Sequence, residues 1–288
     1  MRKQGEYGRQ RTKCQLNCAT LRGDGEDITC IQENVLIVQI YEIQTPSEAE
    51  SMIELGVDHI GSVILSESQW KNPKVYDVVR LTQSAGRRSS LIPLFNSPDS
   101  VLQTLDFYQP DIVHFCESLV DDKDVWGYCR RLIQLQKDVK KRFPQIEIMR
   151  SIPIAQPGRN NSVPTLEFSR WFEPVSDFFL TDTLLASAPG IDEASQPVPG
   201  FVGITGQQCD WETAAKLVMS CRIPVILAGG ISPDNVAEGI RRVRPAGVDS
   251  CTRTNALDKK GVPIRFKKDL NQVTRLVNAV REAENALE

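Results

Sequence analysis

The chain contains only two histidines, His59 and His114, and no apolar run near the roughly 18 residues that span a bilayer. So few histidines limit metal chemistry, and without such a run we do not expect an integral membrane protein. Neither sign of charge dominates: the formal net charge is −3, which gives no electrostatic reason to expect a nucleic acid as partner. No apolar stretch follows the basic residues at the start, so we expect no secretory signal and a cytoplasmic location.

The eight cysteines are scattered, which is not typical of a disulfide framework in a chain of this length. Several lie within or beside predicted elements, among them Cys116, Cys209, Cys221 and Cys251. Cys14, Cys18 and Cys30 form a loose group at the start, but no histidine pair accompanies them and their spacing matches no zinc pattern well. We therefore predict no metal site.

Hydrophobic patterning divides the chain in two. Residues 1–34 are polar and lack periodicity, which predicts a disordered extension or residues upstream of the natural start. From residue 35 onward, apolar runs alternate with helical patterns. Strands are predicted at residues 36–41, 59–65, 90–95, 112–116, 146–152, 178–181, 225–227 and 248–251. Helices are predicted at residues 47–55, 74–83, 98–107, 122–142 and 165–172, with further helices beginning at residues 211, 233 and about 267.

Eight strand–helix units in strict order predict an α/β protein with a parallel sheet, because each parallel connection needs a crossover helix. The number eight favours closure into a (β/α)₈ TIM barrel over residues 35–288, as a single domain. An open dinucleotide-binding sheet would carry a glycine fingerprint after the first strand, and none is present. Residues 155–164 and 186–202 are irregular and follow strands, so both are expected to overhang the barrel mouth, and the second is long enough for a lid.

A glycine turn joins the seventh strand to the next helix. The apolar run ends in Ala228-Gly229-Gly230, and Ser232-Pro233-Asp234 is predicted to open an amphipathic helix, with Ser232 as its N-cap. Two glycines allow close approach of the backbone to a ligand, and free N–H groups at a helix start attract anions. In (β/α)₈ barrels the loops after strands 7 and 8 bind phosphate. The alternative is a tight turn that binds nothing.

Several motifs, taken together, are similar to phosphoribosylanthranilate isomerase, a (β/α)₈ enzyme of tryptophan biosynthesis. The likeness runs from residue 38 to the end and is strongest in the last third. The motif G-x-T-G-x-x-x-D-W begins at Gly203 and includes Gly206; AGG-x-x-P-x-N-V begins at Ala228; VRP-x-x-VD begins at Val243. Residues 56–64 and 92–101 resemble the family's second and third strands.

The resemblance implies an Amadori rearrangement without a cofactor. In that family a general acid protonates the ribose ring oxygen, and a general base then removes the C2 proton to give an enolamine. The acid follows the sixth strand, which makes Asp182 the candidate here. Burial near a phosphate is expected to favour the protonated form that an acid requires. The alternative is that Asp182 only caps the next loop.

At the position of the family's general base, this chain departs from the family pattern. That base is a cysteine at the end of the first strand, where this chain has Tyr41. A tyrosine with a pKa near 10 is a poor base unless strongly perturbed. Glu42 could serve, but strand alternation is expected to point it away from the barrel axis. His114 or Glu117, after the fourth strand, are alternative proton-transfer groups, and a buried histidine satisfied by a neighbour is the other interpretation of His114.

Two ligand-binding positions depart as well. The family's arginine for the anthranilate carboxylate falls at Trp70, and Lys71 is the nearest cation to replace it, although it lacks the planar guanidinium. The family's Ser-Ser-Gly after the last strand becomes Cys251-Thr252-Arg253. Thr252 and Arg253 join Gly206, Gly229 and Gly230 as expected phosphate ligands.

The phosphate end is thus largely kept, while the base and the aromatic end are replaced. We expect a protein like this isomerase that acts on a small phosphorylated metabolite, with no nucleic-acid or membrane partner. The alternatives are a diverged barrel enzyme for another phosphorylated substrate and a non-catalytic barrel that binds a phosphometabolite or a protein partner. Whether catalysis survives is open at this stage, and the sequence gives no oligomeric state.

Overall fold

The structure of the protein, a computed structural model, describes residues 35–120, 124–159, 163–187, 190–191 and 197–286. The predicted extension at residues 1–34, with its cysteine group, lies outside the described residues, and the domain limits stay a prediction. Within the described part of the chain, no helix combines the length and the apolar character that crossing a membrane requires.

Strands and helices alternate along the described chain, except that two short hairpins follow the strands at residues 178–184 and 247–250. The strands are β1 (Ile37–Ile40), β2 (His59–Ile64), β3 (Arg88–Pro93), β4 (Ile112–Phe115), β5 (Glu147–Ala155), β6 (Phe178–Leu184), β7 (Ala186–Ser187), β8 (Gly190–Ile191), β9 (Val225–Leu227), β10 (Gly247–Ser250), β11 (Asn255–Leu257) and β12 (Pro263–Lys268). The helices are α1 (Pro46–Glu54), α2 (Pro73–Ser84), α3 (Pro98–Tyr108), α4 (Val125–Arg142), α5 (Thr165–Phe172), α6 (Trp211–Ser220), α7 (Val236–Val243) and α8 (Leu270–Asn285).

Eight strands close into a barrel in the order β1-β10-β9-β6-β5-β4-β3-β2, with parallel pairing between neighbours. This confirms the predicted (β/α)₈ fold. All eight strands therefore end at the same face, and the loops that follow them meet there. The pairs β7–β8 and β11–β12 are small antiparallel hairpins outside the barrel sheet.

Local sequence explains where several helices begin. The first turns of α1, α2 and α3 contain Pro46, Pro73 and Pro98, where the missing N–H costs nothing. The Asn72 side chain accepts from the Lys74 N–H at the start of α2 (3.1 Å), and the Asp210 side chain accepts from the Thr213 N–H at the start of α6 (2.8 Å). These caps fix the direction in which each loop leaves the barrel mouth.

The predicted start of the helix after Gly230 is wrong. Instead of opening at Pro233 with Ser232 as cap, α7 begins at Val236. The reason is the Asn235 side chain, whose Oδ1 accepts from the Ser232 N–H (2.8 Å) and whose Nδ2 donates to the Gly230 carbonyl (3.0 Å). These bonds close a turn and delay the helix.

Candidate active site

A cavity of about 540 Å³ opens at the face where the barrel strands end. Apolar side chains form much of its wall, with Val63, Ile92 and Leu180 among the lining residues. Phe201 and Val202 cover one side, and the Val202 N–H donates to the Cys116 carbonyl (2.8 Å), which ties the end of the loop 197–202 to the end of β4. The proposed lid role of residues 186–202 stays a prediction, because residues 188–189 and 192–196 lie outside the described residues.

A smaller opening of about 320 Å³ adjoins this cavity. Asp182, Ile204, Asp249 and Cys251 line both spaces. The smaller opening is also lined by all five residues that the sequence analysis assigns to phosphate: Gly206, Gly229, Gly230, Thr252 and Arg253. Three separate loops supply these residues, and closure of the barrel brings them together. We call this opening the glycine cradle.

Several hydrogen-bond donors of the glycine cradle have no acceptor among the described residues. The N–H groups of Gly229, Gly230 and Ile231 donate to no acceptor among the described residues. Thr252 Oγ1 is buried and has no hydrogen-bond partner in the described part of the chain. Arg253 is held with its Nε donating to the Gly206 carbonyl (2.9 Å). Buried polar groups are normally satisfied, so these donors are suited to an anion.

Gly230 is the position in the cradle where a side chain is least tolerable. Its φ of +68° is in the left-handed region, and an added Cβ would lie 2.6 Å from the backbone of Gln207 and Gln208. The loop that contains Gly230 therefore packs directly against the backbone of the loop that contains Gln207 and Gln208, which keeps the cradle small.

Asp182 lies where the sequence analysis places the acid. It belongs to β6, and its Oδ1 accepts from the Thr183 N–H (2.8 Å). An added Cβ on Gly203, whose φ is +109°, would lie 2.4 Å from Asp182 Oδ2, so the G-x-T-G loop packs directly on the carboxyl group. Burial raises the pKa of Asp182 from the ordinary 3.8 to about 7, against the hydrogen bond from Thr183, which lowers it. A protonated fraction at neutral pH follows.

Tyr41 and His114 form one hydrogen-bonded chain inside the barrel. The Tyr41 hydroxyl lies 2.5 Å from Ser90 Oγ and 2.8 Å from His114 Nδ1, and His114 Nε2 lies 2.8 Å from Ser151 Oγ. The Tyr41 hydroxyl and both ring nitrogens of His114 thus have partners. Both residues line the larger cavity.

Their electrostatics do not suit a base. Burial is the largest effect in both, and it raises the pKa of Tyr41 well above the ordinary 10. Burial, followed by the nearby Arg150, lowers the pKa of His114 to about 3. At neutral pH the phenol is therefore protonated and the imidazole is neutral and weakly basic. The other interpretation of His114, a buried histidine whose ring nitrogens are satisfied by neighbouring side chains, fits the structure.

The two glutamates considered as substitutes are bound elsewhere. Glu42 lines the cavity, contrary to the expectation from strand alternation, because β1 ends at Ile40 and Glu42 has a φ of +66°. Its Oε1 accepts from Arg265 Nε (2.7 Å). Glu117 is fully buried in an ion pair with Arg150, and it does not belong to the cavity lining.

Trp70 and Lys71 are not brought to the cavity. The Trp70 ring packs edge-on against Phe107 of α3, with ring centroids 5.6 Å apart. Lys71 Nζ lies 4.9 Å from the centroid of the Trp70 ring and 5.3 Å from that of Phe107. Packing against α3 therefore occupies both side chains, and the predicted substitute for the family's carboxylate-binding arginine is absent from the described lining.

Asp249 ends the motif VRP-x-x-VD, but no role was predicted for it from the sequence. It lies on β10, 6 % exposed, and lines both the cavity and the glycine cradle. Burial raises its pKa to about 7; a hydrogen bond from Gln39 lowers it, and the charge of Asp182 raises it further. A signal existed: Asp249 is the only charged residue in a strand, Gly247–Ser250, that is buried throughout, which argues for a role at the mouth.

Comparisons with known proteins relate this chain to one family of isomerases. The family model described as N-(5'-phosphoribosyl)anthranilate (PRA) isomerase matches residues 173–279. A relative of that name from Methanocella arvoryzae is 36% identical over 145 residues, which are 50% of this chain and 55% of the relative. The match thus spans about half the length of that relative.

Two further likenesses extend over the whole barrel. The isomerase of Trichlorobacter lovleyi is 27% identical over 255 residues, covering 85% of this chain and 98% of the relative. A crystal structure of phosphoribosyl anthranilate isomerase with reduced 1-(o-carboxyphenylamino)-1-deoxyribulose 5-phosphate has a TM-score of 0.58 at 17% identity, over 86% of this chain and 99% of that one. The structural likeness concerns the fold.

Proposed function

We propose, from its likeness to the N-(5'-phosphoribosyl)anthranilate isomerases, that the chain catalyses the Amadori-type isomerisation of a phosphoribosyl amine, with N-(5'-phosphoribosyl)anthranilate as substrate. One observation carries the proposal: the glycine cradle, with its unpaired donors, adjoins a cavity into which the Asp182 carboxyl group opens. The protein then acts in tryptophan biosynthesis on a small metabolite, and we infer a cytoplasmic location from that role.

The substrate is proposed to lie across the two spaces. Its 5-phosphate occupies the glycine cradle, where Gly230, Thr252 and Arg253 supply donors and charge. The ribosyl ring then lies beside Asp182, and the aromatic group fills the larger cavity. This arrangement uses remote binding of the phosphate to orient the reacting carbon atoms.

Asp182 begins the reaction. Its carboxyl proton passes to the ribose ring oxygen as the C1–O bond breaks, and the lone pair of the nitrogen forms a C=N bond. The ring is then open and the nitrogen carries a positive charge, while Asp182 is a carboxylate. A pKa near 7 suits this role, because an acid works best when its pKa is close to the working pH.

A second candidate function is the same reaction on a phosphoribosyl amine with another N-substituent. The described residues that line the cavity include no lysine or arginine, whereas Glu42, Asp182 and Asp249 are all acidic. A carboxylate on the aromatic ring would find no cation there, so this observation favours an uncharged substituent.

The test is a steady-state assay of purified protein with two substrates, N-(5'-phosphoribosyl)anthranilate and the corresponding aniline compound. Turnover of the first supports the main proposal; turnover of the second alone supports the second candidate. The Asp182→Asn variant is expected to lower kcat by about 10²–10⁴, the usual contribution of a general acid. Asp77→Asn, the same change at an exposed position of α2, is the matched control. No turnover of either substrate contradicts both candidates.

A further inference from the structure

We propose that Asp249 is the general base that removes the C2 proton, in the role of the cysteine that the family carries at the position of Tyr41. The inference rests on the isomerase function proposed above. Asp249 lines both the cavity and the glycine cradle, as Asp182 does. A phosphosugar whose phosphate lies in the cradle therefore extends past both carboxyl groups.

The barrel holds the Asp249 carboxylate in one orientation. Gln39 is aligned with Asp249 on one side and with His59 on the other. Gln39 Oε1 lies 3.1 Å from His59 Nδ1, and Gln39 Nε2 donates to Asp249 Oδ1 (3.1 Å). Burial lowers the pKa of His59 to about 3, so the imidazole is neutral, and in the tautomer with the proton on Nδ1 it donates to the amide oxygen. The amide then has to present its NH₂ group to Asp249.

This arrangement leaves one carboxylate oxygen for chemistry. Asp249 Oδ1 is engaged by Gln39, whereas Oδ2 has no hydrogen-bond partner among the described residues. A carboxylate oriented through one oxygen and free at the other is a suitable proton acceptor.

The other groups at the mouth are less suitable. Tyr41 and His114 use the Tyr41 hydroxyl and both ring nitrogens in bonds to one another, to Ser90 and to Ser151. Glu42 is held by Arg265. Burial raises the pKa of the thiols of Cys116 and Cys251, which keeps both protonated.

Several charged and titratable groups act on Asp249. Asp182 disfavours its ionisation, and Lys268, whose Nζ donates to the Cys251 carbonyl (2.9 Å), favours it. Tyr41 and Cys251 also line the space but stay neutral. Two neighbouring carboxyl groups with similar pKa values share protons, so the singly protonated pair is well populated near neutrality. That state has one acid and one base.

The proposed step balances. The Asp249 carboxylate takes the C2 proton, the C–H electrons form the C1=C2 bond, and the C=N electrons return to the nitrogen as a lone pair. The product is a neutral enolamine. Asp182 is now ionised and Asp249 protonated, so the proton moves between the carboxyl groups, directly or through solvent, before the next turnover. The enolamine then loses the proton of its hydroxyl and gains one at C1 to give the ketone.

The test compares wild type, Asp249→Asn and the double variant Tyr41→Cys/Asp249→Asn, with the substrate that wild type turns over. Two quantities are measured: kcat, and the dissociation constant of the reduced analogue 1-(o-carboxyphenylamino)-1-deoxyribulose 5-phosphate or its aniline counterpart. We expect Asp249→Asn to lower kcat by about 10²–10⁴ and to change analogue binding less than tenfold. The added thiol at position 41 is expected to recover part of the lost rate.

The outcomes separate the two proposals. If wild type and Asp249→Asn turn over equally, the base is misassigned while the isomerase function stands. If Asp249→Asn loses analogue binding as strongly as turnover, Asp249 is a binding residue and the inference fails. A wild type without activity on either substrate contradicts the isomerase function, and the assignment of Asp249 with it.

Discussion

At the scale of single residues, the Tyr41 ring fills the space inside the barrel that a side chain at position 61 would enter. Tyr41 is 4 % exposed, and a Cβ added to Gly61 on β2 would lie 2.1 Å from Tyr41 Cδ1. The tyrosine ring therefore lies against the backbone of β2, where any other residue would displace it. At position 41 this chain has a phenol where the family has a smaller thiol, and Gly61 leaves the space that the larger ring needs.

We predict that Gly61→Ala destabilises the protein by about 1–3 kcal/mol, the usual cost of overpacking a filled core. The cost is expected to shrink in a Tyr41→Cys background, because the ring that the new methyl group meets is gone. Denaturant unfolding of the four proteins of this cycle measures the difference. An equal cost in both backgrounds means that the two side chains do not compete for space.

A second prediction concerns Asp249 and pH. Its pKa is raised from 3.8 to about 7 in the folded protein. A raised pKa means that the folded state binds the proton more tightly than the unfolded state does. Protonation of Asp249 therefore stabilises the fold fully below about pH 4, and this stabilisation is lost as the pH rises through about 7. Asp249→Asn cannot ionise, so relative to wild type it is expected to gain roughly 2–4 kcal/mol between pH 4 and pH 8. Urea unfolding at the two pH values measures the gain, and a difference independent of pH contradicts the burial of this carboxyl group.

At the scale of elements, the hairpin β11–β12 ties the last loop of the barrel to the end of the first strand. Arg265 of β12 reaches Glu42, with Nη2 2.6 Å from Oε1, and Glu42 is 1 % exposed. Asn255 of β11 contributes a longer contact to the same carboxylate (3.4 Å). One buried negative charge therefore depends on a hairpin that is otherwise largely exposed.

We predict that Arg265→Met lowers the free energy of unfolding by about 3 kcal/mol, because it leaves Glu42 buried without its counter-ion. The double variant Glu42→Gln/Arg265→Met is expected to recover part of that loss. Lys267→Met, at an exposed position of the same hairpin, is the control and should change stability by less than about 0.5 kcal/mol. Chemical denaturation measures all three. Equal effects of the Arg265 and Lys267 changes contradict the proposed role of the ion pair.

The strands and helices show which parts of the fold can be predicted from the sequence. Runs of branched apolar residues located the barrel strands, since burial on both sides leaves a continuous hydrophobic signal. The hairpin β11–β12 was missed because its segment is short and charged and contains Pro263, none of which is typical of a strand. The start of α7 was misplaced because one asparagine side chain closes the preceding turn, and that bond depends on three-dimensional contacts.

The candidate site was predictable in part for related reasons. Glycine turns and Asp182 follow strands, and the carboxyl ends of barrel strands must meet, so their placement at the mouth followed from the fold. The direction of Glu42 did not, because its positive φ breaks the alternation of β1. The packing of Trp70 and Lys71 against the neighbouring helix was not predictable either, because sequence position after a strand does not reveal such contacts.

At the scale of the whole molecule, barrel closure sets Asp182 and Asp249 around one cavity although 66 residues separate them along the chain. Activity therefore requires one of the two carboxyl groups protonated and the other ionised. We predict a bell-shaped dependence of kcat/KM on pH, with a maximum near pH 7 and a decline of about tenfold per pH unit on each side. In Asp249→Asn any residual activity should lack the decline at low pH. A wild-type profile that is flat from pH 5 to pH 9 contradicts the two-carboxylate mechanism.

The most direct measurement is a crystal structure of the protein with the reduced analogue, 1-(o-carboxyphenylamino)-1-deoxyribulose 5-phosphate. We expect its phosphate in the glycine cradle, within hydrogen-bond distance of the Gly230 N–H and Thr252 Oγ1, and its C2 atom facing the free oxygen of Asp249. A phosphate bound elsewhere, or a C2 atom beyond the reach of both Asp182 and Asp249, contradicts it.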